Sequence, residues 1–284
     1  MSCASLSQLI DNIRANPPAA IFCSDFVATY PEWIDFRNRQ GLDCPVYGWT
    51  HSLSYQRYTA DIMRILNAGP RPEDGVLCTS PSAVAVVGKL LDSARSTLRQ
   101  TLSGPGCYLF PLPFESQPSQ ARQKITGDKL QVLTLGRLDW QTKAGLLVLE
   151  PLIRQLKNPE KFKFVIAGGG DNRSYITLLQ RILGPLGVEI KVDISDEDKS
   201  HLYQTSQVLF MPVDNYQETF GLVIPEAQSH GCVPLVSDFD GFRSLVKHGE
   251  NGLLLPTYAA KIPDQLKIIS AMPLSIRLMG NAWM

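Results

Sequence analysis

The stretch that most constrains this chain runs from Gln207 to Pro234 and reads QVLFMPVDNYQETFGLVIPEAQSHGCVP. Its first apolar run, Val208 to Met211, predicts a buried parallel strand. A polar loop follows, and then a helix that should end at Gly231, because glycine is favoured just past a helix C-terminus. Pro225 falls in or near the first helical turn, where its missing N–H does least harm. The stretch therefore predicts a strand, loop and helix unit of an α/β protein.

Two carboxylates bracket the turn into this helix: Glu218 in the loop and Glu226 early in the helix, on the same face as Leu222. The backbone N–H groups at 220–223 lack helical partners, and the helix dipole favours an anion beside them. A carboxylate accepts two hydroxyl hydrogen bonds at once, which suits a ribose diol or a pyranose. An anion flanked by two such carboxylates describes a nucleotide sugar.

The segment ETFGLVIPEAQSHGCVPLVSDFDG resembles the E-x7-E signature of glycosyltransferase family four, whose members are retaining enzymes of the GT-B fold. The resemblance covers about residues 45–280 and is strongest over 130–255. It implies an α/β fold with two Rossmann-type domains and parallel sheets. The expected boundaries are a partial, acceptor-side N-terminal domain at 1–112 and a nucleotide-sugar (donor) binding domain at 113–284.

Family members usually begin with a strand and a glycine-rich acceptor loop, and they close with long helices. Neither feature is evident in this sequence, so we expect the N-terminal domain to be incomplete. Whether the chain is a whole protein or a fragment stays open.

A second motif follows the strand predicted at 131–135. Gly136 and Arg137 come directly after it, then Lys143, then a helix predicted at 146–156. This order resembles the family's second donor motif. The planar fork of Arg137 and the mobile charge of Lys143 can hold a diphosphate and stabilise it as it leaves.

A glycine turn at 168–170 follows the strand predicted at 164–167. It is neither a G-x-G-x-x-G fingerprint nor a P-loop, so a dinucleotide or ATP site is not favoured. The resemblance implies that Gly168 and Gly169 lie beside the nucleotide, and a plain tight turn is the alternative. Beyond a strand at 188–192, Ser195 and the acidic residues after it predict the start of a helix up to Thr205, to which we assign no chemistry.

His51 lies just past the strand predicted at 44–49, where open α/β sheets place ligand contacts. Family members often carry a histidine near the donor sugar at a similar point. A histidine whose hydrogen bonds are simply satisfied at a strand end is the alternative.

Many relatives also carry a glycine pair and a glutamate where this chain has Gly241 followed by Phe-Arg-Ser, so contacts from that loop are in doubt.

Composition excludes several classes of partner. Lys plus Arg equals Asp plus Glu at 27 each, so no bulk attraction to nucleic acid or to an anionic membrane follows. The six cysteines are scattered without a C-x-x-C pair, which favours free thiols in a reducing compartment, by default the cytoplasm. No apolar run is long enough to span a bilayer. In the expected reaction the cationic pair Arg137 and Lys143 takes the place of a metal, so we expect neither a metal requirement nor a cofactor.

The resemblance implies a retaining glycosyltransferase that moves a sugar from a nucleotide diphosphate sugar to a hydroxyl of an unidentified saccharide, lipid or protein. The alternative is a non-enzymatic or inactive nucleotide-sugar-binding fragment; a phosphorylase or epimerase fits the motifs less well. The predicted catalytic residues are Glu218, His51, Arg137 and Lys143. The predicted donor-binding residues are Gly136, Gly168, Gly169, Phe220, Gly221, Leu222 and Glu226.

Overall fold

The computed structural model describes residues 6–53, 58–98, 104–114, 128–139, 144–212 and 218–257, and helices and strands alternate along them. The chain divides into two compact units, Met1–Leu112 and Pro113–Met284. Each unit holds one sheet, and every strand pair within each sheet is parallel.

The first unit carries four strands in the spatial order β1-β2-β3-β4. The strands are β1 (Ile21–Cys23), β2 (Val46–Trp49), β3 (Gly75–Cys78) and β4 (Gly106–Leu109). The helices are α1 (Leu6–Ala15), α2 (Tyr30–Gln40), α3 (Tyr58–Asn67) and α4 (Pro81–Leu98). Short apolar runs at 19–23, 44–49 and 75–78 predicted the first three strands. The segment at 107–113 resembles the stretch where family members cross between their two domains, so no strand is expected there. The structure corrects this expectation, because Cys107 pairs with Val76 and makes β4 a full member of the sheet.

One face of this sheet carries the core of the unit. Val46 and Cys78 on the strands pack in one cluster with Ile34, Ile62 and Val87 of the helices, all fully buried. The opposite face carries aromatic residues: Phe22 stacks on Tyr47 with ring centroids 5.2 Å apart, and Phe22 is 67% exposed. A Cβ added at Gly75 would lie 2.7 Å from the ring of Tyr108, so glycine there lets the aromatic row lie flat on the sheet. Among the described residues, the helices that share this core therefore cover one face of the sheet.

The second unit carries six strands in the order β10-β9-β8-β5-β6-β7. The strands are β5 (Leu130–Leu135), β6 (Phe162–Gly168), β7 (Glu189–Val192), β8 (Val208–Met211), β9 (Val233–Ser237) and β10 (Leu253–Leu255). The helices are α5 (Leu149–Gln155), α6 (Arg173–Leu183), α7 (Asp196–Thr205), α8 (Val223–Ser229) and α9 (Phe242–Leu245), with 3₁₀ turns at Ala144–Val148, Pro159–Lys161 and Gly184–Leu186.

The direction of chain progression reverses within this second sheet. The chain builds outward from β5 to β6 and β7, and β8 then returns to the other side of β5. Strands β9 and β10 continue on that side. In open parallel sheets, ligands bind outside the carboxyl ends of the strands at such a reversal. The order of strands therefore predicts a binding crevice beside the carboxyl ends of β5 and β8.

The predicted helix at 146–156 differs from the structure. The segment begins as a 3₁₀ turn at Ala144–Val148, and the α-helix occupies only Leu149–Gln155. Pro151 explains the difference, because a proline inside an α-helix removes a hydrogen bond and destabilises it by about 3 kcal/mol. With the helix starting at Leu149, Pro151 falls in the first turn, where that hydrogen bond is not needed.

The predicted cap of α7 is confirmed. The Ser195 hydroxyl accepts the N–H of Asp198 at 3.1 Å, and the Asp198 carboxylate accepts the N–H of Ser195 at 3.3 Å. This reciprocal capping box satisfies two backbone donors at the helix start. The hydroxyl of Ser195 also donates to the carboxylate of Asp198, and that hydrogen bond lowers the pKa of Asp198.

Over the described residues, the molecule has no helix long and apolar enough to cross a bilayer.

Candidate functional site

The loops after β5 and β6 are joined backbone to backbone. The N–H of Gly136 donates to the carbonyl of Ala167 at 3.1 Å, and the N–H of Leu138 donates to that of Gly169 at 2.8 Å. The carbonyl of Gly168 in turn accepts the N–H of Asp193 after β7 at 2.8 Å. These bonds continue the ladder past the strand ends and fix the three loops relative to one another.

The glycine turn has a structural role in this joint. A Cβ added at Gly168 would lie 1.7 Å from the carbonyl oxygen of Gly136, and one at Gly170 would lie 3.0 Å from that of Leu138. Gly169 has more room, since its nearest neighbour would be a carboxylate oxygen of Asp193 at 3.4 Å. The close approach of the loops after β5 and β6 thus requires glycine at 168, whether or not the turn also contacts a ligand. The predicted nucleotide contacts of Gly168 and Gly169 stay predictions.

Arg137 is held between two anchored residues. Its neighbours Gly136 and Leu138 both donate to the β6 loop, and Leu138 is buried at 1% exposure. The side chain of Arg137 is exposed. A cation is therefore presented from a fixed backbone at the end of β5. Lys143, its predicted partner on the diphosphate, lies outside the described residues.

Glu218 lies in the loop between β8 and α8 and is half-buried. Its carbonyl accepts the N–H of Gly241 at 2.8 Å. A Cβ added at Gly241 would lie 2.4 Å from that carbonyl oxygen, so only glycine permits this contact. The sequence left the contacts of the loop at Gly241 in doubt. In the structure, this loop supports the backbone of Glu218. The sequence could not predict that contact, because a glycine after Asp-Phe-Asp indicates only a turn.

The three residues before α8 differ in exposure. Phe220 is buried, Leu222 is 41% exposed, and Gly221 has a φ of +93°. A Cβ added at Gly221 would also lie 2.5 Å from the ring of Phe242. Glycine is needed there both for the left-handed backbone and for packing. This turn fixes where helix α8 begins.

Helix α8 presents Glu226 as the sequence predicted. The N–H of Glu226 donates to the carbonyl of Leu222 at 3.1 Å, which places both residues on one helical face. The carboxylate of Glu226 is bound by two side chains of α7: Lys199 Nζ lies 2.8 Å from it, and the Tyr203 hydroxyl donates at 2.8 Å. Sequence reasoning missed both residues, since it treated α7 as purely structural. Their spacing of four along α7 was the available signal.

The electrostatics of this group keep Tyr203 protonated. Burial raises the pKa of Tyr203, and the neighbouring negative charge of Glu226 raises it further. A phenol that remains protonated donates its hydrogen bond to the carboxylate. The ring also stacks on His230 with centroids 5.3 Å apart, and the Cys232 thiol donates to the Tyr203 carbonyl at 3.1 Å. The group formed by Lys199, Tyr203 and Glu226 is therefore anchored on both α7 and α8.

His51 lies just past the end of β2, as expected, and is exposed. Its Nε2 contacts the carbonyl oxygen of Ser24, which follows β1. This backbone partner is what a histidine satisfied at a strand end requires. A contact between His51 and a donor sugar stays a prediction.

Other features of the described residues do not form a competing site. No group of three or more His, Cys, Asp or Glu side chains in the described ranges could hold a metal ion. A groove lined by Gln228, Val233, Asn251 and Leu253 lies at the amino-terminal ends of β9 and β10. That edge is opposite the carboxyl ends, where the predicted donor residues lie.

The second sheet is parallel and has a reversal point between β5 and β8. An exposed arginine follows β5, and two carboxylates follow β8. These features define a Rossmann-type ligand-binding domain. Residues 116–273, more than half of the chain, match the profile of the family described as Glycosyl transferases group 1. The chain belongs to this family.

Two curated proteins are similar to the chain over part of its length. An uncharacterized glycosyltransferase of Methanocaldococcus jannaschii is 31% identical over 133 residues, which are 45% of this chain and 32% of that protein. The phosphatidyl-myo-inositol mannosyltransferase of Mycobacterium tuberculosis is 30% identical over 125 residues, 44% of this chain and 32% of that protein. The chain thus spans about a third of the length of the curated relatives it matches.

A solved structure shares the fold. Anabaena HepE, determined in complex with UDP-glucose, superposes with a TM-score of 0.63 at 16% sequence identity. The match covers 97% of this chain and 74% of that one. The α/β architecture with two parallel sheets is that of the GT-B glycosyltransferases, as the sequence predicted.

Proposed function

We propose that this chain acts as a retaining glycosyltransferase, which moves a sugar from a nucleotide diphosphate sugar to an acceptor hydroxyl. The observation that carries the proposal is the position of Arg137 and Glu226 on either side of the reversal between β5 and β8. A fixed cation and an accessible carboxylate meet the needs of a diphosphate and a sugar hydroxyl, respectively.

The leaving diphosphate is the group that most needs stabilisation in this reaction. Arg137 and Lys143 supply positive charge to it, and the backbone N–H groups near Gly221 add donors. Such groups act on charge that develops in the transition state, so they raise the rate and not only the affinity.

The carboxylates orient the rest of the donor. Glu218, whose backbone is fixed by Gly241, binds the sugar, and Glu226 binds the ribose. His51 contacts the sugar. The cationic groups replace a metal in this scheme, so the proposal includes no metal requirement.

UDP-glucose is the first donor to test, because HepE, which shares the fold, was determined in complex with that nucleotide sugar. The names of the curated relatives add mannosyl transfer to an inositol lipid as one precedent. Because the matched parts cover about a third of those proteins, the acceptor of this chain is left to experiment.

The test is thermal-shift binding of UDP, GDP and ADP sugars to the full chain, with and without a chelator. A donor at a hundred times its dissociation constant stabilises the folded protein by about 2.7 kcal/mol. We expect Arg137→Ala, Lys143→Ala and Glu226→Ala each to weaken binding about tenfold or more, since a hydrogen bond to a charged group contributes about 1.5–3 kcal/mol. Chelation should leave the shift unchanged.

Arg154→Ala is the matched control, because Arg154 is exposed on α5 and pairs with Glu150. A folded wild-type chain that responds to no donor would refute the donor site. Binding without any turnover of the donor, with or without candidate acceptors, would favour the second candidate, a nucleotide-sugar-binding protein without transferase activity.

A further inference from the structure

The carboxylate of Glu226 lies in a small polar cluster formed by two neighbouring helices. Lys199 Nζ lies 2.8 Å from the carboxylate, and the Tyr203 hydroxyl lies 2.8 Å from its Oε2. Tyr203 is 1% exposed, whereas the side chains of Glu226 and Lys199 are 25% and 32% exposed. The cluster is thus buried on its tyrosine side and open on its carboxylate side.

Both donors come from one face of α7, since residues four apart on a helix are neighbours. The position of that face is fixed from several directions. The capping box at Ser195 sets the start of the helix, and Leu202 is buried in the core of the second unit. The Tyr203 ring stacks on His230, which directly follows α8. The two helices therefore hold the donors and the acceptor in register.

The chemistry of the three groups leaves Glu226 able to bind a ligand. A carboxylate offers about four lone-pair positions on its two oxygens, and an ammonium group and a phenol are donors to it. The two protein donors occupy part of this capacity. The remaining positions are accessible through the exposed quarter of the side chain.

We propose that Lys199 and Tyr203 are positioning residues that hold the carboxylate of Glu226 in the orientation that accepts both hydroxyls of a ribose. This inference rests on the proposed function, in which Glu226 binds the ribose of the donor. It predicts that the site selects ribonucleotides over 2′-deoxyribonucleotides, and that this selection depends on Lys199 and Tyr203, which act on the ligand only through Glu226.

The test compares UDP, GDP and ADP with their 2′-deoxy counterparts by titration calorimetry on the full chain. We expect the wild-type chain to bind the preferred ribonucleotide about tenfold or more tightly than its deoxy form. Lys199→Met and Tyr203→Phe should weaken ribonucleotide binding about five- to tenfold. Both should leave deoxynucleotide binding nearly unchanged, so the preference falls towards one.

This change in preference separates positioning from a structural role, because a generally distorted site would lose both ligands equally. Tyr203→Phe keeps the ring that stacks on His230, and Lys191→Met is the matched control, since Lys191 pairs with Glu189 on β7. Lys191→Met should retain the ribose preference.

The outcomes distinguish the two proposals. A wild-type chain that binds none of the nucleotides refutes the proposed function and this inference with it. A wild-type preference that is lost in Glu226→Gln but kept in both Lys199→Met and Tyr203→Phe overturns the positioning role and leaves the proposed function intact.

Discussion

Adjacent glycines at the end of β6 have different neighbours. Gly168 faces the carbonyl of Gly136 across a gap that a methyl group cannot enter, while Gly169 meets only the end of the Asp193 side chain. In the sequence the two positions are equivalent members of a Gly-Gly-Gly turn. Their difference arises from the loop after β5, whose residue Gly136 contacts Gly168 and lies about thirty positions earlier in the chain.

We therefore expect Gly168→Ala to destabilise the chain by about 1–3 kcal/mol, because the added methyl group forces the two loops apart. Gly169→Ala should change the free energy of unfolding by no more than about 0.5 kcal/mol. Urea unfolding of both variants measures this difference. Equal effects would contradict the role of Gly168 as a close-contact position.

At the scale of elements, α2 carries two arginines in opposite environments. Arg37 is fully buried and pairs with the fully buried Asp74 at 2.7 Å. Arg39, half a turn away, pairs with Asp35 on the surface. Asp74 also accepts the N–H of Val46 at 2.8 Å, so one carboxylate ties the helix to the start of β2.

Removing the charge of Asp74 should leave Arg37 buried without a counter-ion. We expect Asp74→Asn to reduce the stability of the first unit by about 3–5 kcal/mol, as for other broken buried pairs. The loss should appear as faster hydrogen exchange in peptides from β2 and β3.

Asp35→Asn provides the control for this prediction. It breaks only an exposed pair, which contributes at most about 1 kcal/mol. If both variants exchanged at the same rate, the buried pair would not be what holds α2 on the sheet.

At the scale of the whole molecule, both units contain buried tyrosines. Burial raises the pKa of Tyr30 in the first unit and of Tyr175 and Tyr203 in the second. Since the folded-state pKa lies above the unfolded value of about 10, the folded state keeps these protons longer. The resulting stability is fully present below about pH 10 and is lost as the pH rises above it.

Each such proton should give a slope of about 1.4 kcal/mol per pH unit in the alkaline range. Tyr30→Phe should flatten the alkaline slope by about one proton. The hydroxyl of Tyr30 has no hydrogen-bond partner among the described residues, so we expect its removal to alter stability near pH 7 by less than about 1 kcal/mol.

Urea unfolding of Tyr30→Phe and the wild-type chain between about pH 7 and pH 11 checks this prediction, with phenolate absorbance as a second signal. Parallel stability curves across the alkaline range would mean that Tyr30 ionises in the folded state.

The sequence determined the types of element and placed the candidate residues Arg137 and Glu218 after the carboxyl ends of β5 and β8. Hydrophobic runs, glycines and prolines act over a few residues, so the strands at Val208–Met211 and Gly75–Cys78 and the cap at Ser195 followed directly. The positions of Pro225 and Gly231 placed Glu226 early in its helix. The sequence failed at β4, whose aromatic and proline-rich surroundings resemble a linker.

Tertiary structure alone decided which residues meet. Lys199 and Glu226 are 27 positions apart in the chain. Lys199 lies on the helix before β8 and Glu226 on the helix after it, and the two residues meet because both helices pack on the same sheet. The same holds for Gly241 beneath Glu218 and for Gly168 against Gly136. Local patterns cannot encode such pairs, because contacts between loops and helices depend on strand order, which only the packed sheet establishes.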